Sequence, residues 1–207
     1  HFDSLDKMKL RAVLATEQRG ICVYCERLLD EKKEAPPVEH WRPLSQSPES
    51  ALCWNNLYLS CPTPDTCDDQ KKYRRLLWGD GDPDLPWPTD APYHDWLGFT
   101  HLGEVYVRAD RALDEKTRKA LELAISDQEY RGQKKASILN LNHRTLVAAR
   151  KAAIDSERIK MEKDFPNRSV PPAERKNRAD KMLSANNYPK FVSIRVAWLT
   201  KMLGKNR

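Results

Sequence analysis

Ile21-Cys22-Val23-Tyr24-Cys25, ICVYC, sets two thiols three positions apart in a short apolar run. That C-x2-C spacing puts two thiolates on one tight turn, as a zinc knuckle requires, with tetrahedral thiolate coordination as the consequence for the fold. A second pair stands downstream at Cys61 and Cys67, at the wider spacing C-x5-C. The five cysteines are Cys22, Cys25, Cys53, Cys61 and Cys67, an odd number confined to the first third of the chain. This pattern argues against a secreted disulfide framework and for a metal site in a reducing compartment, with a cytoplasmic location expected. The bland alternative is a set of buried free thiols, and Cys53 is expected as a packed thiol rather than a ligand. A structural zinc supplies about 10–16 kcal/mol of apparent binding energy in small modules. That suffices to hold loops too polar to fold by apolar burial alone.

Working outward, "LDKMKLRAVLATEQRG" over 5–20 has helical apolar spacing and ends on glycine, so one short helix is expected. "VEHWRP" over 38–43 reads as extended, since the residue before a proline is pushed out of the helical region. "CWNNLYLSC" over 53–61 has strand-like apolar content, and "CDDQKKYRRLLW" over 67–78 reads as a helix with acids in its first turn. A proline-rich stretch from Gly79 to Pro92 marks a boundary, and "WLGFTHLGEVYVRAD" over 96–110 predicts a hairpin turning at glycine. From about Asp114 the pattern is helical: 113–125, 134–165 and 188–203, with "PNRSVPPAERKN" over 166–177 as the spacer between the last two. The fold class expected is α+β, mainly helical: a zinc-bound core with its N-terminal helix over 1–80, a connection and hairpin over 81–113, and a basic helical region over 114–207.

With 40% hydrophobic and 32% charged residues, the 207-residue chain can build an ordinary core. No run approaches the ~20 apolar residues of a membrane span, so no membrane association is expected. The chain opens on His1 and no signal peptide is read, which leaves the native N-terminus open. The net charge of +6 is unevenly spread: residues 131–207 hold 19 Lys and Arg against 6 Asp and Glu, whereas the first 130 are net acidic. Such asymmetry suits a chain that meets nucleic acid or an acidic partner, and equally a solvated helical surface.

Between the cysteine pairs lies Glu39-His40, then Asn56; Asp68 follows Cys67 directly, with Lys71 one helical turn on. This ordered set resembles the HNH, or ββα-metal, nuclease family, over roughly Cys22 to Lys72. By that resemblance His40 would be the general base on the attacking water, and Glu39 a ligand of the catalytic cation. Asn56 would pin the loop that orients the histidine. Asp68 would be the second cation ligand, where the family usually has His or Asn, and Lys71 would touch a phosphate. The residue types suit that chemistry. Imidazole is a base near neutrality without much tuning, and Mg²⁺ or Mn²⁺ favours carboxylate oxygens. Glu39 in place of the more usual Asp, and Asp68 in place of His or Asn, make the pocket harder and favour those cations.

"CVYCE", "VEHWRP", "WNNLYLSC", the "GEVYV" hairpin and "ILNLNHRTLVAARKA" together resemble the PtuB-type HNH proteins of Septu and retron-associated antiphage systems. The resemblance implies an ABC-type ATPase partner (PtuA-like), a DNA or tRNA substrate, structural Zn²⁺ and catalytic Mg²⁺. Two other functions stay open: a non-catalytic zinc module that binds nucleic acid or scaffolds an ATPase, and a stand-alone restriction-type nuclease. "ILNLNHRTLVAARKA" is expected as a core helix, and His94, His101 and His143 as packed or surface side chains.

Overall fold

The computed structural model describes residues 2–30, 34–78, 85, 96–126, 128–130, 133–135, 137–166, 169–201 and 203. Among them the fold is a mixture of helices and three two-stranded antiparallel sheets. Helix α1, Lys7–Glu17, is capped by Asp6, whose carboxylate accepts from the Met8 and Lys9 amides, satisfying two donors that a helix start leaves open. Its Leu10 and Leu14 pack against strand β2, Leu57–Leu59, through Leu57 and Leu59. Gln18 then extends the sheet edge: its side-chain amide donates to Leu59 O (2.9 Å) while its oxygen accepts from Leu59 N (2.6 Å).

The expected order of elements around the cysteines is present. Strand β1, Val38–His40, pairs with β2 in the register Val38 with Leu59, Glu39 with Tyr58 and His40 with Leu57. Helix α2, Cys67–Trp78, follows with Asp68 and Asp69 in its first turn. Two strands and a helix thus succeed each other as in the sequence reading. "ICVYC" is a knuckle rather than a strand: Ile21 bridges Leu28, the Cys22 amide donates to Arg27 O, and Glu26 turns the chain with φ of 61°. The boundary at 79–92 lies outside the described residues except Leu85, which is buried and accepts a hydrogen bond from the Trp41 indole (3.4 Å).

The hairpin is as expected: β3, Leu97–Phe99, pairs with β4, Val105–Val107. Gly98 faces Tyr106 across the ladder, and the tyrosine ring covers the space a Cβ would take. Gly103 turns the chain at φ of +91° directly against helix α4, Arg144–Asp164, where a Cβ would lie 2.3 Å from Val147 O.

The region from 114 onward departs from the continuous helical reading in three places. Helix α3, Glu115–Ile125, is followed by a small hairpin of β5, Gln128–Tyr130, and β6, Gln133–Lys135. Residues Ser137–His143, expected as helix, are irregular for a clear reason. Their groups satisfy the open carbonyls at the end of α3: Ser137 Oγ donates to Leu123 O and Ala124 O, Leu141 N to Ala124 O and Asn142 N to Ile125 O. These donors would otherwise have served their own helix. Finally, the expected spacer contains helix α5, Pro172–Leu183, with proline at its first position, where the missing N–H costs nothing. Helix α6, Val192–Leu199, ends the described chain.

The main core runs from the knuckle to the last helix, from Cys22 and Trp41 through Phe99 and Leu121 to Leu146 and Ile194. Helices α4, α5 and α6 share a smaller apolar cluster of Met161, Ala179 and Leu199. The last helix is tied back to the knuckle, because Glu26 accepts from Ser193 N (2.9 Å) and its carbonyl accepts from Phe191 N (2.8 Å). Arg195 and Glu157 form a buried ion pair between α6 and α4. No described helix is long and apolar enough to cross a membrane.

Gly103→Ala is expected to cost about 2–4 kcal/mol, from a left-handed backbone and an overpacked contact. In a chain of this size that is a melting temperature lower by about 5–15 °C. An unchanged melting curve would contradict the close approach of the hairpin to α4.

Candidate metal centre and the cavity beside it

The four cysteines expected as ligands, Cys22, Cys25, Cys61 and Cys67, are buried and free, and their sulfurs all lie within 4.8 Å of one another. Sulfurs 2.3 Å from a tetrahedral zinc stand about 3.8 Å apart. The Cys25–Cys61 and Cys22–Cys67 separations are 3.6 and 3.9 Å. The group could therefore hold a metal ion such as zinc. The backbone is arranged for thiolates: the Cys61 amide donates to Cys22 Sγ at 3.3 Å. Cys67 reaches the cluster through a left-handed residue, φ 55°, held by its amide on Leu139 O (2.9 Å).

The charges in this group conflict unless a cation is added. Hydrogen bonds from Cys22, Cys25 and Cys67 push the Cys61 thiol far down. Burial pushes Cys67 up, and hydrogen bonding with Cys22 and Cys61 raises Cys25. The Cys61 thiolate is favoured at the expense of Cys25 and Cys67, whereas a divalent cation stabilises thiolates together. A further observation agrees. Arg150 of α4 is buried, donating to Leu141 O (2.8 Å) and Gly103 O (3.3 Å). Burial pushes its guanidinium below the ordinary arginine value, and the neighbouring Cys25, Glu26 and Cys67 offset that only in part. A buried guanidinium needs an anion nearby, and a metal–tetrathiolate group carries one. Cys53 is no part of this group. It was expected as a packed thiol but is exposed, because it joins two solvent-facing 3₁₀ turns, Pro48–Leu52 and Trp54–Asn56.

The second cysteine pair carries its neighbour Asp68 into a cavity of about 180 Å³, lined by Glu39, His40, Ser45, Asp68, Lys71 and Lys72 among others, and the knuckle reaches the wall of that cavity through Glu39. Tyr24, inside the knuckle, donates its hydroxyl to Glu39 Oε1 at 2.9 Å and stacks on Trp41 with ring centroids 5.2 Å apart. Asp68 follows Cys67 directly, in the first turn of α2. The structure thus brings Glu39, His40, Asp68 and Lys71 together, as the sequence reading expected.

Lys71 stands differently from that reading. It was expected to touch a phosphate, but its ammonium is pulled inward. It pairs with Glu39 Oε1 and donates to Tyr24 Oη (3.1 Å) and to the carbonyls of His40 (3.0 Å) and Trp41 (3.0 Å). The more exposed ammonium belongs to Lys72, which pairs with Asp68 Oδ2 at 2.6 Å and is 59% exposed. Lys72 and Tyr24 are the two site residues the sequence reading passed over. The spacing of Lys72 four residues after Asp68 was a usable signal, whereas nothing marked Tyr24 apart from an ordinary apolar residue of the knuckle.

The two carboxyls are set apart by their surroundings. Burial pushes Glu39 up, but the Lys71 charge and hydrogen bonds from Asp68, Lys71 and Tyr24 outweigh it and hold Glu39 low. Burial and the neighbouring Glu39 push Asp68 up to about 7. Asp68 Oδ1 is buried and has no hydrogen-bond partner, a costly state for a carboxyl oxygen. An orphaned, buried carboxyl oxygen beside a second carboxyl fits a hard divalent cation, which prefers such donors.

His40 makes a contact that fixes its chemistry. Its Nε2 lies 3.1 Å from Ala51 O. A carbonyl can only accept, so Nε2 carries the proton and Nδ1 is left as the basic nitrogen. The Phe2 ring meets the imidazole edge-on at 4.6 Å. Asn56 is buried and clamps the loop that presents this carbonyl. Its side chain accepts from Arg42 N (2.7 Å) and donates to Arg42 O (3.2 Å) and to Ser50 O (3.3 Å), next to Ala51. His94 lies outside the described residues; His101 is exposed, and His143 caps α4 through Thr145 N.

Comparison with protein families, with curated proteins and with solved structures finds no match to this chain.

The sulfur geometry predicts one zinc per chain. Its removal by a strong chelator is expected to lower the melting temperature by more than about 10 °C, since metal binding here is folding energy. A zinc-free chain that melts unchanged would reduce the cysteines to packed thiols.

Proposed function

We propose that the chain is a metal-dependent endonuclease of the HNH type that hydrolyses phosphodiester bonds. The observation that carries this reading is His40 with its proton fixed on Nε2, sharing a cavity with an orphaned, buried carboxyl oxygen of Asp68. A base whose free nitrogen is fixed in advance can take a proton from water near neutral pH without reorganising. Asp68, with Glu39 beside it, would hold Mg²⁺ or Mn²⁺, which when bound supplies positive charge for the phosphate and the leaving oxygen. Lys72 lines the same cavity and offers a mobile ammonium to an approaching phosphate. Lys71 holds Glu39 ionised, and Asn56 keeps the histidine loop in place. The zinc-type cysteine cluster supports the reading, because its members flank Tyr24 and Asp68 in the chain. The wider role would be that of effector in a bacterial antiphage system, working with an ABC-type ATPase on DNA or tRNA. The resemblance of the sequence motifs is its support.

One observation favours a second reading, a non-catalytic zinc module that binds nucleic acid or scaffolds an ATPase. The ammonium of Lys71 already occupies Glu39 Oε1 and two main-chain oxygens, so part of the cavity is neutralised without any added cation.

Cleavage of supercoiled plasmid and of total tRNA in Mg²⁺ or Mn²⁺, with and without a co-purified ATPase, separates the two. His40→Ala is expected to lose at least about 10²-fold in rate while zinc content and melting temperature stay unchanged. Undiminished cleavage by His40→Ala would refute the base assignment. No cleavage in any combination by the folded, zinc-loaded chain would favour the module.

A further inference from the structure

A second cavity, of about 360 Å³, lies among the C-terminal helices, and its lining shares no residue with the first. Arg158, Arg175 and Lys201 line it together with Trp198 and Ser169, and Glu162 is the one acid among the described lining residues. The state of Arg175 is unusual. Its guanidinium lies over the Trp198 ring, 5.2 Å from the centroid, and its Nε is buried with no hydrogen-bond partner. A buried guanidinium Nε–H without an acceptor costs free energy, and the contact with the indole face attracts the cation without satisfying its donors. Neither Arg175 nor Lys201 pairs with a carboxylate among the described residues, whereas the nearby Arg178 takes both Glu174 and Asp164. Arg158 leans on Asp155 at 3.3 Å, an exposed contact of little strength.

We propose that this cavity binds a phosphoryl group, with Arg175 as its anchor. A guanidinium fork lining a cavity suits the oxygens of a phosphate, and Lys201 and Arg158 add charge around them. Two cations with no carboxylate partner among the described residues, against one acid, suit the multiple charge of a phosphoryl group better than a single carboxylate. Ser169 adds a hydroxyl donor at the rim. Arg175 already occupies the Trp198 face, so the cavity reads the phosphate and not a base. The phosphoryl group has two possible sources, the backbone of a nucleic acid or a free nucleotide, and the site stands whether or not the first cavity is catalytic.

The test is binding by the intact chain, without added divalent metal, of a fluorescent 20-nucleotide single strand and, separately, of ATP and of inorganic pyrophosphate. Arg175→Ala is expected to weaken binding about tenfold and to lower the salt dependence by about one ion. Glu162→Gln removes the opposing charge and is expected to tighten binding a few-fold, which a folding defect would not produce. Arg175-dependent binding of the strand alone assigns the site to a nucleic-acid backbone, and Arg175-dependent binding of ATP or pyrophosphate assigns it to free phosphates. Equal binding by native chain and Arg175→Ala overturns the proposal, as does a lack of binding of every phosphate probe. Binding of polyglutamate as strong as that of the strand overturns the phosphoryl assignment.

Discussion

Four sulfurs brought within 4.8 Å of one another are the constraint from which the rest of this structure hangs. The knuckle and the second pair lie almost forty residues apart in sequence, joined by loops and two three-residue strands. A ladder that short contributes too little burial to hold itself together. Closing the sulfurs around one cation fixes both ends at once. Each end then carries a site residue: Tyr24 within the first pair and Asp68 directly after the second. The C-terminal half packs on the same group, through Leu139 O on Cys67 N, through Glu26 capping α6, and through buried Arg150. One centre therefore organises both the small cavity and the helices over it.

Charge in the first cavity follows from that arrangement. Lys71 and Tyr24 converge on Glu39 and hold it low, while burial and the same Glu39 push Asp68 up to about 7. Two carboxyls that divide a proton between them can exchange it for a cation. His40 stands apart from this exchange, its tautomer set by a main-chain carbonyl that Asn56 secures from one residue away. The histidine and the two carboxyls are thus tuned by separate elements of the fold, the loop after β1 and the start of α2.

Much of this was legible in the sequence where local rules dominate. The C-x2-C spacing gave the knuckle, the strand-like apolar content of "CWNNLYLSC" gave β2, and the acids of "CDDQKK" marked the start of α2. The hairpin over 97–107 was legible because only glycine accepts φ of +91° at its turn. What escaped depends on distant partners. Ser137–His143 reads as helix by periodicity, yet its donors are taken by carbonyls of α3, which no local pattern shows. Helix α5 was hidden behind Pro171-Pro172, a pair read as a break although proline at a first helical position is a start signal. Lys71 was placed by its spacing, but its direction was decided by Glu39, Tyr24 and two carbonyls that meet only in the fold.

The most direct test of this account is the zinc K-edge absorption spectrum of the purified chain. The account predicts one zinc per chain with four sulfur neighbours at about 2.3 Å and no nitrogen or oxygen in the first shell. A mixed shell, or a folded chain that holds no zinc, would contradict the claim that Cys22, Cys25, Cys61 and Cys67 close around a single ion.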